Sequence, residues 1–485
     1  MSDKATDIAI IGGGFAGVVT AIHMIRAASK QSESSETPAL SISIIESSEH
    51  IGRGIAYSTD NPDHIVNGLA QLFGVYPDQP AHLTEWLRAH AAEHGWTPPE
   101  GVEFENAFAP RWLYGTYIQD TLRHALRRAG ARVRLETVKA RAVDLNPQAQ
   151  GYQVILQDGR RLQAARVVLA LGLFRGRSNA VLSSANGDAL VPERYIDNIW
   201  DTTSWQAARQ DQDILIIGTS LTALDAALNA ERAGFKGKFH ALSRRGLLVQ
   251  PRRQRTAWPD VLDPTQLPTT LRDLLRATGR ARRAIKAAGA DWQQLPPAIR
   301  PHLPALWANA SHSDRQRFLR HLRPFWEISL HRAGPESAKK LSQLIDAKRF
   351  DHHAGRIRSL RATSNGRIAV EWQTRGQQQT QTLVVDRVAN ALGYEFDWSR
   401  IDDPLVRHLQ ERKLVQRHAT GFGIDAVPQT GAVLSVQGVA QDDLYAVGHP
   451  LRGVIWESNA IGEQLLEAVN TAQAIVASLQ TVETD

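Results

Sequence analysis

No cysteine occurs anywhere in the 485 residues. Disulfides, thiolate metal sites and a redox-active cysteine pair are therefore excluded, and no other pattern calls for a metal. No apolar run approaches the roughly 18 residues needed to cross a bilayer. Met1–Asp7 passes almost at once into the apolar Ile8–Ile11 with no export-signal pattern, so a cytoplasmic protein with no membrane contact is expected. The net charge of +6 is modest for this length. Arginine is concentrated between Arg252 and Arg349, where it suits an anionic small molecule or an acidic partner. No nucleic-acid motif or aromatic interleaving accompanies that charge, so nucleic acid is not an expected partner. The chain is too long for one hydrophobic core, and two or three domains are expected. No pattern in it fixes an oligomeric state.

What is present is a pair of glycine-rich loops, each in a strand–turn–helix setting. The first is Ile8-Ala9-Ile10-Ile11 running into Gly12-Gly13-Gly14-Phe15-Ala16-Gly17. Gly12 permits a tight turn, Gly14 a close approach to a pyrophosphate, and Gly17 close packing of helix on strand. Phe15 and Ala16 open the helix, whose free N–H groups suit phosphate. Glu46 ends the next strand, where a carboxylate accepts both hydroxyls of an adenosine ribose. It stands about thirty residues past Gly17 rather than nearer 20, and the polar stretch Lys30–Thr37 accounts for the excess. A chance glycine-rich turn would lack this setting, and FAD is the expected ligand.

The second loop is Ile214-Leu215-Ile216-Ile217 running into Gly218-Thr219-Ser220-Leu221-Thr222-Ala223. Ser220 and Ala223 replace the later glycines, and a tight turn without ligand stays open. Ser243-Arg244-Arg245 ends the next strand where an acidic residue would read NAD. A hydroxyl and two guanidiniums suit a 2′-phosphate, hence NADPH; a solvated basic edge is the bland alternative. Two such loops predict an α/β chain with two Rossmann-like dinucleotide-binding domains. The boundaries expected are 1–205 for the first part of the FAD domain, 206–395 for the NADPH domain, and 396–485 for the returning FAD part. A helical subdomain is expected as an insertion at about 252–348, because proline-punctuated helical patterning there interrupts the Rossmann-like order.

Further residues join the FAD set. Val138 lies near the start of an expected strand Thr137–Asp144, which follows a shorter one at Val133–Leu135. Val167–Gly172 and Val388–Gly393 resemble each other, each a strand ending in a small residue and glycine; in two-nucleotide flavoproteins such segments lie where the chain passes between domains, while alone they are buried strands with a turn. Gly172 is the ligand candidate among them. Arg53 and Gly54 lie in an irregular excursion from Gly52 to about Gly115, where Arg53 suits a pyrophosphate or is a surface loop residue. Asn67 can donate to flavin or substrate, or serve a turn. His449 stands where many FAD enzymes carry Asp for the ribityl chain, followed by Arg452-Gly453. A helix beginning near Ser458 presents its positive end to a flavin, or is an ordinary capped helix. Asn67, His449 and Arg452 are the catalytic candidates. Trp326, Glu327, His331 and Arg332 read better as packing than as a site.

Together these segments resemble the bacterial FAD/NAD(P)-binding protein family that includes flavin-dependent amino-acid N-monooxygenases, among them the aspartate oxygenase that forms nitrosuccinate. The resemblance covers most of the chain. It rests on Gly12–Gly17, Gly52-Arg53-Gly54-Ile55-Ala56-Tyr57-Ser58, Pro110-Arg111-Trp112-Leu113-Tyr114-Gly115, Gly218–Asp225, Ser243-Arg244-Arg245-Gly246, and Arg452-Gly453 with Trp456-Glu457. The chain departs from the family after Asn67, where Gly68-Leu69-Ala70 replaces an apolar residue and proline. It departs again before His331-Arg332, where Ser329-Leu330 shortens a His-Arg-His-Arg run, and at Asn390-Ala391-Leu392-Gly393, where members have an Asn-Cys-Thr-Gly type segment. The resemblance implies an NADPH-using, FAD-dependent monooxygenase acting with O₂ on a small polar, amino-acid-like substrate through a C4a-hydroperoxyflavin. The alternative is an NAD(P)H oxidoreductase that passes electrons to a quinone or partner without oxygen insertion. The missing cysteine pair agrees with either route.

Overall fold

The computed structural model describes residues 4–29, 40–175, 192–253 and 255–481. Two parallel-rich sheets organise them. The first runs in the order Ala432–Leu434, Ala440–Ala446, Arg161–Leu169, Lys4–Ile11, Leu40–Glu46 and Val133–Lys139. From Ala440–Ala446 onward every neighbour is parallel. The apolar run at Ile8–Ile11 is explained by burial on both faces. Ile8 and Ile10 pack with Val18, Ile22 and Ile25 of helix Phe15–Ser29, while Ala9 and Ile11 pack with Val154 and Leu444 opposite. Helix Ile461–Thr481 lies on the same side as Phe15–Ser29, its Ala468, Ala472 and Ile475 in the same cluster. The tail of the chain thus returns to the first sheet.

The second sheet runs Thr380–Val385, Ile368–Thr374, Phe350–Ala362, Lys238–Ser243, Asp213–Ile217, Arg387–Asn390 and Tyr195–Ile196. Both sheets are Rossmann-like, with helices Phe15–Ser29 and Leu221–Arg232 following their first strands. The region expected as a helical insertion holds helices Leu271–Ala287, Leu303–Asn309, Arg323–Leu330 and Pro335–Asp346, with a π-helical turn at Phe318–Leu322. Pro304, Pro324 and Pro335 sit in first turns, where a missing N–H removes no helical bond.

Three local expectations differ from the structure. The excursion expected to stay irregular to about Gly115 gives way to helix Arg111–Ala129 at Arg111. Gly115 then lies inside it, and a Cβ there would sit 2.9 Å from Arg53 Cγ, so the glycine admits the neighbouring excursion rather than ending a loop. A strand break expected at Glu136 falls at Ala140–Arg141, because pairing with Leu40–Glu46 continues unbroken to Lys139. Strand Phe350–Ala362 has no apolar alternation to announce it. Its start, Asp351-His352-His353, is held extended by parallel pairing with Lys238–Ser243.

The two lobes meet through buried polar contacts. Arg111 grips Asp225 with Nη1 at 2.6 Å from Oδ2 and Nη2 at 3.3 Å from Oδ1. Asn61 Nδ2 donates to Asn229 Oδ1 at 2.7 Å. Burial would raise the Asp225 pKa, but the charges of Arg111 and His64 outweigh it and hold the carboxyl below its ordinary range. The two chain crossings pair with each other: Phe174–Arg175 runs antiparallel to Tyr394–Glu395.

Candidate functional site

The first loop closes on a third strand. Gly12 has φ +108°, and a Cβ on it would lie 2.1 Å from the Ala170 carbonyl oxygen. A Cβ on Gly17 would lie 2.0 Å from the carbonyl oxygen of Gly12, so helix Phe15–Ser29 presses on the turn. Gly14 is different. Its nearest neighbour would be Gly54 Cα at 3.6 Å, and that facing pair of glycines floors a cavity instead of packing a core. The Gly13 N–H donates to Glu46 Oε2 at 2.9 Å and the Ser48 N–H to Oε1 at 2.9 Å, which orients the carboxylate at the end of its strand.

A cavity of about 590 Å³ opens here, large enough for a dinucleotide-sized ligand to bury much of its surface. It brings together Gly12, Gly14, Phe15, Ala16, Glu46, Arg53, Gly54, Gly172 and His449. Arg53 reaches it from the excursion. Its Nη2 donates to Thr116 Oγ1 at 3.2 Å, its buried Nε has no hydrogen-bond partner among the described residues, and burial lowers its pKa. A half-buried guanidinium without a carboxylate partner, beside free helix N–H groups, is what an anionic phosphate linkage needs. Ile461 and Gln464 line the far side, so the first turn of the 21-residue helix Ile461–Thr481 borders the same space.

His449 follows Gly448, whose N–H donates to Glu467 Oε2 at 2.7 Å. Burial, reinforced by the Arg452 charge, pushes the His449 pKa down to about 3, so the imidazole is neutral at physiological pH. Burial also raises the Glu467 pKa well above its ordinary value, against the lowering effect of the Gly448 N–H.

Four members of the expected FAD set stand back from the cavity lining. Gly17 packs behind the loop, and Val138 lies in the core opposite Ile45. Arg452 is enclosed by aromatic rings, its Cζ 4.3 Å from the Phe396 centroid and 4.8 Å from that of Trp456, and it donates to Glu327 Oε1 at 2.9 Å. Gly453 is a packing glycine, since a Cβ would meet the Phe422 carbonyl oxygen at 2.2 Å. Asn67 presents its carbonyl oxygen to Arg252 Nη1 at 2.6 Å.

Residues not singled out as ligands also line the cavity: Trp200, Tyr394, Asn198 and Asn459. Trp200 and Tyr394 stack at 5.7 Å with their planes 5° apart. The available signal was position, since each aromatic flanks one of the two crossings. Both also line a small cleft with Thr222 of the second loop and Asn390. The stacked pair therefore stands between the two glycine loops.

At the second loop, Gly218 has φ +134°, and a Cβ would lie 2.3 Å from the Ala391 carbonyl oxygen. Ser220 caps helix Leu221–Arg232 with extended backbone and no side-chain cap bond, so the first N–H groups, with Leu221 and Thr222, lie at an open helix end. The Thr219 hydroxyl lies 2.6 Å from the Leu247 carbonyl oxygen and 2.8 Å from Ser243 Oγ, which also accepts the Gly246 N–H at 3.0 Å. Ser243 thus ties the turn together. Arg245 lies over Phe325 at 5.2 Å. Arg244 is exposed in a cleft shared with Arg356, Arg358 and Arg375.

Beside the flavin-sized cavity, basic side chains gather at the inner edge of the helical region. His331 Nε2 lies 3.5 Å from Asn459 Nδ2 and 3.9 Å from Glu457 Oε2, and burial lowers its pKa. Burial, then the charge of Arg252, pushes the Arg332 pKa down to about 10. Arg252 is likewise lowered by burial and by Arg300. Arg252 Nε and Arg332 Nε have no hydrogen-bond partner among the described residues, whereas Arg300 is paired to Glu463 at 2.6 Å.

Comparison with known proteins agrees with this geometry at the level of fold. Residues 9–174 match the family model described as FAD-NAD(P)-binding. An uncharacterized protein of Mycobacterium tuberculosis is 23% identical over 256 residues, 45% of this chain and 47% of the relative. The chain spans about half the length of the curated relatives it matches. L-lysine 6-monooxygenase from Pseudomonas syringae superposes with a TM-score of 0.65 at 18% identity, covering 98% of this chain and 100% of that one. Reduced ornithine hydroxylase from Pseudomonas aeruginosa gives 0.63 at 14%, with 98% and 100% covered. Bacillithiol disulfide reductase from Staphylococcus aureus gives 0.54 at 13%, with 98% and 99% covered. The chain thus carries a region matching FAD-NAD(P)-binding proteins within a fold of two Rossmann-like dinucleotide domains.

Proposed function

We propose that this protein is an FAD-dependent, NADPH-using monooxygenase acting on a small polar, amino-acid-like substrate. One observation carries the reading: a single cavity gathers the first glycine loop, Glu46, Arg53 and the start of helix Ile461–Thr481, and Trp200 with Tyr394 joins it to the second loop. In this reading residues 1–205 and 396–485 hold FAD and residues 206–395 hold NADPH. Glu46 accepts the adenosine ribose hydroxyls, while Arg53 and the N–H groups at Phe15 and Ala16 take the pyrophosphate. Gly218–Thr222 take the nicotinamide nucleotide's pyrophosphate, and Arg244, with Arg356 and Arg375 beside it, takes the 2′-phosphate.

When bound, the flavin supplies hydride acceptance and activation of O₂. The chain's own residues orient and enclose. The helix beginning at Ile461 offers its positive end to charge developing on the ring. Neutral His449 fills the wall beside it without adding charge. Half-buried Arg252 and buried Arg332, near His331 and Asn459, favour a substrate bearing a carboxylate. The structural likenesses span both an amine-hydroxylating enzyme and a disulfide reductase, so the reaction has to be tested directly. NADPH consumption is measured with a panel of amino acids and small carboxylates. Substrate-stimulated consumption with an oxygenated product supports the proposal. NADPH consumption that yields only reduced quinone or peroxide would sink it in favour of the oxidoreductase, and protein that stays yellow under anaerobic NADPH would sink both.

A further inference from the structure

The second sheet has two unlike faces. One packs against helices, with Ile214, Ile216, Phe239 and Ala241 meeting Ala223, Leu224, Leu341 and Leu344. The other carries Leu215, Ile217, Leu242, Val370 and Trp372. His240 alternates with Phe239 and Ala241 and so lies on this second face. Parallel register sets His240 beside Asp351 and Leu242 beside His353. Residues two apart on a strand share a face, so Asp351 and His353 point the same way. The three side chains offer ligand atoms that all lie within 4.8 Å of one another, with His240 buried and the other two half-buried.

Two further details distinguish this trio from ordinary sheet polarity. His240 Nε2 lies 3.0 Å from Asp213 Oδ1. A carboxylate holding one ring nitrogen fixes the tautomer and leaves the other nitrogen as a lone-pair donor, the arrangement typical of metal-binding histidine. His353 Nε2 is buried without a hydrogen-bond partner among the described residues, while its ring stacks at 6.2 Å from that of His240 and meets Trp372 at 5.5 Å. Lys238 Nζ holds Asp351 Oδ2 at 2.7 Å, which leaves Oδ1 as the available carboxylate atom.

We propose that His240, Asp351 and His353 bind one divalent transition-metal cation of the zinc class, with the fourth position taken by water. Two imidazoles and one carboxylate suit Zn²⁺ or Co²⁺ rather than Mg²⁺ or Ca²⁺, which prefer all-oxygen shells. The site lies where strand Phe350–Ala362 leaves its parallel neighbour at Ala354 and turns into an antiparallel pairing with Ile368–Thr374. A cation there staples the long strand to Lys238–Ser243 just before it departs.

The test uses full-length protein carrying its bound flavin, stripped with EDTA and titrated with ZnCl₂ against a chromophoric chelator. One equivalent should bind, excess Mg²⁺ should not displace it, and CoCl₂ should give the visible bands of a four-coordinate site at wavelengths beyond flavin absorption. His353→Ala should weaken zinc at least tenfold, whereas His352→Ala, the exposed neighbour, should leave it unchanged. Zinc should raise the melting temperature of the parent and not of His353→Ala. Should His353→Ala fail to fold, Asp351→Asn keeps the shape and should still weaken binding tenfold. Absence of stoichiometric uptake, or uptake indifferent to both His353→Ala and Asp351→Asn, overturns the proposal.

Discussion

The two glycine loops are built on one frame and finished differently. In each, the N–H of the first glycine donates to a carbonyl of the next strand: Gly12 to Ile45 at 2.9 Å, Gly218 to Leu242 at 2.8 Å. In each, that glycine lies against a carbonyl just past the third strand, at Ala170 or Ala391, where a Cβ would come within 2.1 or 2.3 Å. This explains why Val167–Gly172 and Val388–Gly393 look alike in sequence, since each supplies the surface that its loop crosses. The later positions diverge. Gly17 leaves no room for a Cβ, whereas Ala223 is buried with one. Glu46 receives a backbone N–H from the first loop, whereas Ser243 is joined to the hydroxyl of Thr219. The first glycine is thus a requirement of the strand crossing, and the later ones set how closely helix and ligand approach.

The largest effect should come from the shared position. Gly12→Ala and Gly218→Ala both force a Cβ onto a backbone carbonyl at positive φ, a strain of about 3 kcal/mol or more. Gly12→Ala should yield protein without bound flavin, and Gly218→Ala protein that keeps flavin but is not reduced by NADPH; absorbance after purification and an anaerobic reduction trace read both. If Gly218→Ala also loses its flavin, the two loops are not independent. Next is the seam between the lobes. Arg111→Ala leaves Asp225 buried without its cation and should cost roughly 3–5 kcal/mol, measured by urea unfolding. Asp225→Asn should recover part of that loss in the double variant.

Acid should act more gradually, spread over several pH units. His449 is held at a folded pKa of about 3, below its ordinary value, so between pH 6.5 and 3 the unfolded chain binds the extra proton. Its contribution is complete above pH 6.5 and falls by about 1.4 kcal/mol for each unit of acidification below that. The slope of unfolding free energy against pH should flatten correspondingly in His449→Gln. A smaller contrast concerns the two strand ends. Glu46→Gln should weaken FAD on the order of tenfold by fluorescence titration, and Arg244→Ala should raise the KM for NADPH on the order of tenfold with NADH unchanged. Ala223→Gly should cost about 1–2 kcal/mol from helix propensity and a lost buried methyl, with no gain in nucleotide affinity.

Much of this was legible from residue order because the information was local. Strand Lys238–Ser243 and helix Leu221–Arg232 follow directly from apolar periodicity, and Gly12, Gly14, Glu46, Arg53 and Gly54, candidates on residue type and spacing, line one cavity. Strand Phe350–Ala362 was not legible, because its polar start is held by the register of a neighbour over a hundred residues earlier. Nothing local in the sequence marks Trp200 and Tyr394, which lie 194 residues apart and stack only through the tertiary fold. Arg452, a ligand candidate by its place in the sequence, packs between Phe396 and Trp456 and bonds to Glu327 outside the cavity lining.

The sequence by itself determined the two strand–turn–helix units, because a turn at positive φ and a helix start are dictated within a few residues. Only the tertiary structure decided which polar side chains share a space: Arg53 with His449, Arg111 with Asp225, His240 with His353. Those meetings depend on how sheets stack and how strands register, and burial then decides whether a charge is neutralised, paired or left facing a cavity.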